Sequence, residues 1–188
     1  MNLDCSAIPK LKPMTAQFSE TLILRGEKLS LCTEPLGRYL EIIDSPIEFV
    51  WESTANWRGY LGTWKIEDER LYLASITGRI NVNGALREVR IEDLFPGYPD
   101  GVFAHWYTGE LRCPRGNINR YVHQGYASQF QFDIFIAVQQ GQVAGERIVM
   151  NCNQAAKERD QKVTEDQTTA AYQKLTQSPQ WSVLSGKN

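Results

Sequence analysis

The sharpest chemical groups in this 188-residue chain are two imidazoles and four thiols. His123, within Arg120-Tyr121-Val122-His123-Gln124-Gly125-Tyr126, could serve as a general base because imidazole titrates near neutrality. Asp133 or Glu110 could orient it, and Ser128 or Cys113 could supply the nucleophile of a hydrolase or transferase. No motif supports that constellation: the chain has no G-x-S-x-G elbow, G-x-x-x-x-G-K-[ST], H-E-x-x-H or G-x-G-x-x-G. A strand histidine between Val122 and Gln124 is ordinarily a hydrogen-bonded structural group. No catalytic residue is assigned, and His123, Glu110 and Asp133 stand as the alternative. Cys5, Cys32, Cys113 and Cys152 are scattered without a C-x-x-C pair, as expected of free thiols in a reducing compartment. With His105 and His123 as the sole imidazoles, a metal site would have to recruit carboxylates, so neither metal nor cofactor is expected.

Binding chemistry is better represented. Of the 20 aromatic residues, 16 lie between positions 49 and 135, and three of the five tryptophans fall within 51–64. Core packing accounts for many of them, since large aromatics supply buried area in a β-rich protein without disulfides. Two words combine aromatics with charge. Trp57-Arg58-Gly59-Tyr60, with Trp64 beyond it, joins a cation to aromatic rings around a glycine that admits close approach. In the segment from His105 to Arg112, strand alternation puts His105 and Tyr107 on one face and Trp106, Glu110 and Arg112 on the other. An exposed or loop-covered Trp106 beside a paired Arg112 and Glu110 has the composition of a binding hot spot. Tyr121 and His123 complete the candidate binding set.

Charge narrows the partner. Twenty Lys and Arg against 22 Asp and Glu give a net charge of −2. Residues 1–94 hold 11 basic and 14 acidic side chains and residues 95–188 nine and eight, so neither half has the excess a nucleic acid requires. No apolar run reaches the ~20 residues of a membrane helix, and the N-terminus lacks the apolar stretch of a signal peptide. The expected compartment is the cytoplasm.

The elements that must position these residues are mostly short strands. Residues 1–18 form an irregular lead-in with Pro9 and Pro13. Thr21 to Leu24 and Leu29 to Cys32 flank a Gly26 turn as a hairpin, and Glu34-Pro35-Leu36-Gly37 stops the second strand. Residues 47–51, 57–66 and 70–77 read as further strands, Asn83-Gly84 as a type I′ turn, and 86–91 as its return strand. After the turn-rich residues 96–101, strands are expected at 102–113, 118–123, 130–138 and 143–150, punctuated by Pro114, Gly116, Gly125 and Gly141. The sum is a mainly β, β-rich α+β domain over 19–150: a curved antiparallel sheet, sandwich or open barrel of about eight to ten short strands. Residues 151–188 read as a polar, C-terminal helical extension with a thin apolar stripe at Ala156, Val163 and Ala170.

From Trp57-Arg58-Gly59-Tyr60 through Leu71-Tyr72-Leu73, and from Leu94-Phe95-Pro96 through Tyr121-Val122-His123-Gln124-Gly125-Tyr126, the chain resembles an uncharacterised family of small bacterial cytoplasmic proteins. The resemblance spans roughly residues 20 to 150 and implies a bacterial, single-domain, β-rich protein. It transfers no functional residues. The expected function is a non-catalytic interaction module for a protein partner or small ligand, an immunity or antitoxin-like role being one concrete version.

Overall fold

The computed structural model describes residues 15–43, 45 and 47–151. Most of the lead-in, Cys5, Cys152 and the C-terminal helical extension from 152 onward lie outside the described residues. Among the described residues, nine strands and two helices follow one another as β1 (Glu20–Leu24), β2 (Glu27–Leu31), α1 (Pro35–Ile42), β3 (Tyr60–Glu67), β4 (Arg70–Val82), β5 (Ala85–Glu88), α2 (Ile91–Leu94), β6 (Val102–Phe103), β7 (Gly109–Arg120), β8 (Gln129–Gln139) and β9 (Gln142–Met150). The expected turn at Asn83-Gly84 has φ of 53° and 85°, the left-handed pair whose twist matches that of the flanking strands. Arg25-Gly26, Asp68-Glu69 and Gln140-Gly141 turn with the same signs.

The strands build one open, mixed sheet in the order β2-β1-β3-β4-β9-β8-β7, with β5 and β6 also paired to β4. Every pairing is antiparallel except β1 with β3, which run parallel from Thr21↔Thr63 to Leu24↔Ile66. The sheet curves without closing into a barrel. β4 meets β9 through the single pair Arg70↔Gln142, and the outermost strands touch where the Cys32 amide donates to the Arg112 carbonyl at 2.8 Å. Alternation sends Leu22, Leu31, Trp64, Leu71, Leu73, Leu111 and Ile136 into the interior, where each is essentially sealed from water. No helix among the described residues is long and apolar enough to cross a membrane.

Several local expectations are corrected. Residues 35–42 do not merely stop a strand; they form α1, with Pro35 at the first helical position, where its missing N–H costs nothing. Leu36, Tyr39 and Leu40 supply the helical spacing, which Gly37 obscures in the sequence. Residues 47–51 form no strand: Phe49 makes one isolated bridge to Ile80 and the Val50 amide donates to the Arg79 carbonyl, just beyond the Tyr60↔Gly78 pair at which the pairing of β3 with β4 stops. The expected strand 102–113 breaks after Phe103, where the His105 amide turns back to the Phe103 carbonyl and that of Tyr107 to Ala104. Conversely, Pro114 and Gly116 do not separate two strands. Both lie within β7, which absorbs Gly116 (φ 80°) as an irregularity between Arg115 and Ile118 and tolerates proline at the end of the strand order. The return strand after Asn83-Gly84 ends at Glu88, giving way to α2.

Leu71→Ala should lower stability by about 2–5 kcal/mol in equilibrium urea unfolding, because it opens a cavity among fully buried neighbours. Ile148→Ala, on an exposed position of β9, should stay within about 0.5 kcal/mol of the parent.

Candidate binding site

Strand alternation explains why a carboxylate sits in the core. Glu20, Leu22 and Leu24 are the inward residues of β1, as Tyr60, Gly62 and Trp64 are of β3. The parallel register sets Leu22 beside Trp64. Gly62 then leaves the space in which the indole reaches back to the acid. A Cβ at 62 would lie 2.6 Å from Trp64 Nε1 and 2.8 Å from Glu20 Oε2. Trp64 Nε1 donates to Glu20 Oε2 at 2.5 Å, and the Glu20 side chain has no exposed surface.

Arg58 covers this pair from the loop before β3, with only 8% of its side chain exposed. Its Nη1 donates to Glu34 Oε1 at 2.5 Å and to the Tyr126 hydroxyl, and its Nη2 to the Phe18 carbonyl at 3.1 Å. The Tyr126 hydroxyl lies 3.1 Å from both the Phe18 carbonyl and Glu34 Oε1, either of which can accept its proton. Arg58 Nε lies 3.6 Å from Glu20 Oε1, close enough for charge attraction and too far for a hydrogen bond. Those two atoms and the Tyr60 hydroxyl are buried without a hydrogen-bond partner. The guanidinium carbon also sits 5.6 Å from the Tyr60 ring centroid and 6.0 Å from that of Tyr126.

Burial dominates the electrostatics. It pushes the Glu20 carboxyl up from 4.5 to about 7, against the opposing pull of Arg58 and the Trp64 hydrogen bond. Burial, reinforced by the Glu20 charge, holds the Tyr60 phenol far above the usual range. Arg58 stays charged because Tyr126, Glu34 and Glu20 together outweigh the burial that opposes its charge.

Above the buried cluster, the neighbouring residue points the other way. Trp57 is 49% exposed and lies near-parallel to Trp51, which is 63% exposed, with ring centroids 6.5 Å apart and planes at 22°. Phe18 is 54% exposed and lines a groove of about 320 Å³ with Val50, Asn56, Leu61, Arg79 and Glu88. A larger depression of about 470 Å³ lies at the opposite ends of β1 and β3, around Leu24, Ile66 and Val143, away from this cluster. The 50–59 loop is fastened by residues 15–18: the Phe18 amide donates to the Ala55 carbonyl at 2.8 Å, Thr15 Oγ1 and Gln17 Nε2 donate to the Thr54 carbonyl, and the Trp57 amide donates to Gln17 Oε1.

The other sequence candidates are dispersed. Tyr60 and Trp64 belong to the core and Trp57 to the surface. Trp106 does not share a strand face with Glu110 and Arg112, because residues 104–108 leave the sheet. It is half-buried, stacked on Phe95 (5.2 Å) and tilted against Tyr39 (4.6 Å), and donates its indole N–H to the Pro35 carbonyl at 3.1 Å. Glu110 and Arg112 are not each other's partners. Glu110 pairs with Arg147 at 3.0 Å, whereas Arg112 Nε reaches Asp133 at 2.8 Å and its two Nη atoms donate to the Tyr126 and Ser128 carbonyls. Asp133 also accepts from Asn151 Nδ2 at 2.6 Å. Arg112 thus fixes the backbone of the loop whose Tyr126 side chain reaches Arg58.

His123 lies on that exposed loop, not on a strand, with Nδ1 2.9 Å from the Tyr121 hydroxyl. His123, Glu110 and Asp133 have three different sets of hydrogen-bond partners. Burial pushes the Cys113 thiol up to about 12 and that of Cys32 up to about 11, away from nucleophilic thiolates. Among the described residues, no three His, Cys, Asp or Glu side chains gather around a possible metal position. Glu20, Glu34 and Tyr126 were absent from the sequence candidates. Extending the β1 alternation back one step from Leu22 would have placed Glu20 on the core face. Nothing local in the sequence announces Glu34 or Tyr126, which arrive from distant segments. No protein-family model, curated protein or solved structure matches this chain.

Arg58→Met should cost about 3–5 kcal/mol in urea unfolding, since it leaves two carboxylates without their cation. Adding Glu20→Gln should recover part of that loss. Glu20 also sets a sign for pH dependence. The folded chain keeps its proton up to about pH 7 and the unfolded chain releases it near 4.5, so the folded state binds the extra proton between those values. Stability from this group is therefore full below pH 4.5 and falls by about 3 kcal/mol by pH 7. Denaturation curves at pH 5, 6, 7 and 8 should show that slope as the difference between the parent and Glu20→Gln.

Proposed function

We propose that this protein is a non-catalytic binding module that presents Trp51 and Trp57, with Phe18, to a protein partner. The observation carrying the proposal is the pair of exposed indoles on a loop held at its base by a nearly buried arginine. Tryptophan contributes heavily to binding hot spots, and a loop fixed before association loses less conformational entropy on binding. The near balance of acidic and basic residues favours a protein partner over nucleic acid. An immunity or antitoxin-like partner protein in the bacterial cytoplasm is the concrete form of this proposal.

A hydrolase or transferase built on His123 with Glu110 or Asp133 has less support. Its three groups are engaged by Tyr121, Arg147 and the Arg112–Asn151 pair respectively.

Trp51→Ala/Trp57→Ala should fold with nearly unchanged stability, because both indoles are largely exposed. Partners captured from native lysate by the parent and identified by mass spectrometry should be lost or weakened at least tenfold with the variant. A folded double variant that keeps every partner at full affinity would remove the tryptophan pair from the binding surface.

A further inference from the structure

The Glu20–Arg58–Glu34 cluster has an arithmetic problem. Two carboxylates share one guanidinium in a site where Glu20 is fully buried and Arg58 nearly so. Nη1 is committed to Glu34 and Tyr126, and Nη2 to the Phe18 carbonyl, which leaves Nε for Glu20 at a distance too long for a hydrogen bond. Glu20 cannot swing closer, because Oε2 is tied to Trp64 Nε1 and packed against Gly62. With both acids ionised, the cluster holds one negative charge more than its cation offsets, and Glu20, sealed from water where Glu34 is partly exposed, is the costly place for it. One proton from solvent on Glu20 makes it neutral. The groups facing Glu20 are Arg58 from the loop before β3, Tyr60, the Gly62 backbone and Trp64 on β3, Glu34 ahead of α1, and Tyr126 from the loop between β7 and β8.

The cluster is also mechanically connected. Arg58 and Tyr126 both bond the Phe18 carbonyl, and residues 15–18 in turn hold Thr54, Ala55 and Trp57. We propose that Glu20, Arg58 and Glu34 form a proton-operated latch, in which loss of the Glu20 proton draws Arg58 toward Glu20 and away from Glu34, Tyr126 and the Phe18 carbonyl and so loosens the 50–59 loop. The burial-raised carboxyl of Glu20, at about 7, places the operating range around neutrality. Any consequence for partner affinity rests on the reading of Trp51 and Trp57 above. The latch itself does not, and its test needs no partner.

Carboxyl carbon NMR of the ¹³C-glutamate-labelled parent, assigned with Glu20→Gln, should show Glu20 titrating near neutrality. Glu34→Gln should move that titration toward the ordinary carboxylate range. Hydrogen-exchange protection factors, corrected for intrinsic pH dependence, should fall about tenfold for the Phe18 and Trp57 amides in the parent between pH 5.5 and 8. In Glu20→Gln they should stay at the pH 5.5 level throughout. The latch is overturned if Glu20 titrates near 4.5, or if it titrates near neutrality while the Phe18 and Trp57 protection factors do not change. If Glu20→Gln fails to fold, the Glu34→Gln titration supplies the assignment, and the parent measurements alone decide.

Discussion

One guanidinium holds together parts of the chain that the sheet does not. Arg58 bonds the carbonyl that precedes β1, the carboxylate that precedes α1 and the phenol of the β7–β8 loop, and it attracts the acid inside β1. Arginine suits that task because its donors fan out in a rigid plane and its charge survives burial. A lysine would bring a single point charge to positions that need separate donors. The exposed tryptophans owe their placement to this hub, since the residues that clasp their loop are themselves clasped by it.

The arrangement is not optimised for stability alone. An apolar residue at position 20 would continue the inward row of Leu22 and Leu24 and avoid the desolvation of a carboxylate. The fold instead gives up a side chain at 62 so that an indole can reach the acid. It also leaves Glu20 Oε1, Arg58 Nε and Tyr60 Oη buried without partners. Unsatisfied polar atoms concentrated in one place are more typical of a functional region than of a structural one.

Local chemistry was readable in the sequence, and long-range assembly was not. The Asn83-Gly84 turn and the run of short strands follow from period-two alternation and from which residues tolerate positive φ. α1 was hidden because Pro35 and Gly37 read as breakers, although proline is welcome at a helix start. The alternation argument failed at Trp106 for a different reason: it assumes an unbroken strand, and two backward hydrogen bonds at residues 105 and 107 end that strand early. Of the buried cluster, the Trp57-Arg58-Gly59-Tyr60 word contains Arg58 and Tyr60. It could not reveal which of its members would be buried, nor that Arg58 would find partners 24 and 68 residues away.

Those separations also bear on the order in which the molecule can assemble. The β3–β4 and β8–β9 pairs each turn within two residues and can close early, at small entropic cost. The Trp64–Glu20 contact joins residues 44 apart, Arg58–Tyr126 spans 68 and Tyr126–Phe18 spans 108. Contacts of such length bring little reward until the segments between them are organised, and they dominate the folding time of β-rich chains. Such separations place the cluster around Arg58 among the contacts expected to form late. Until it forms, a newly made chain has the tryptophans but not the clasp that holds their loop.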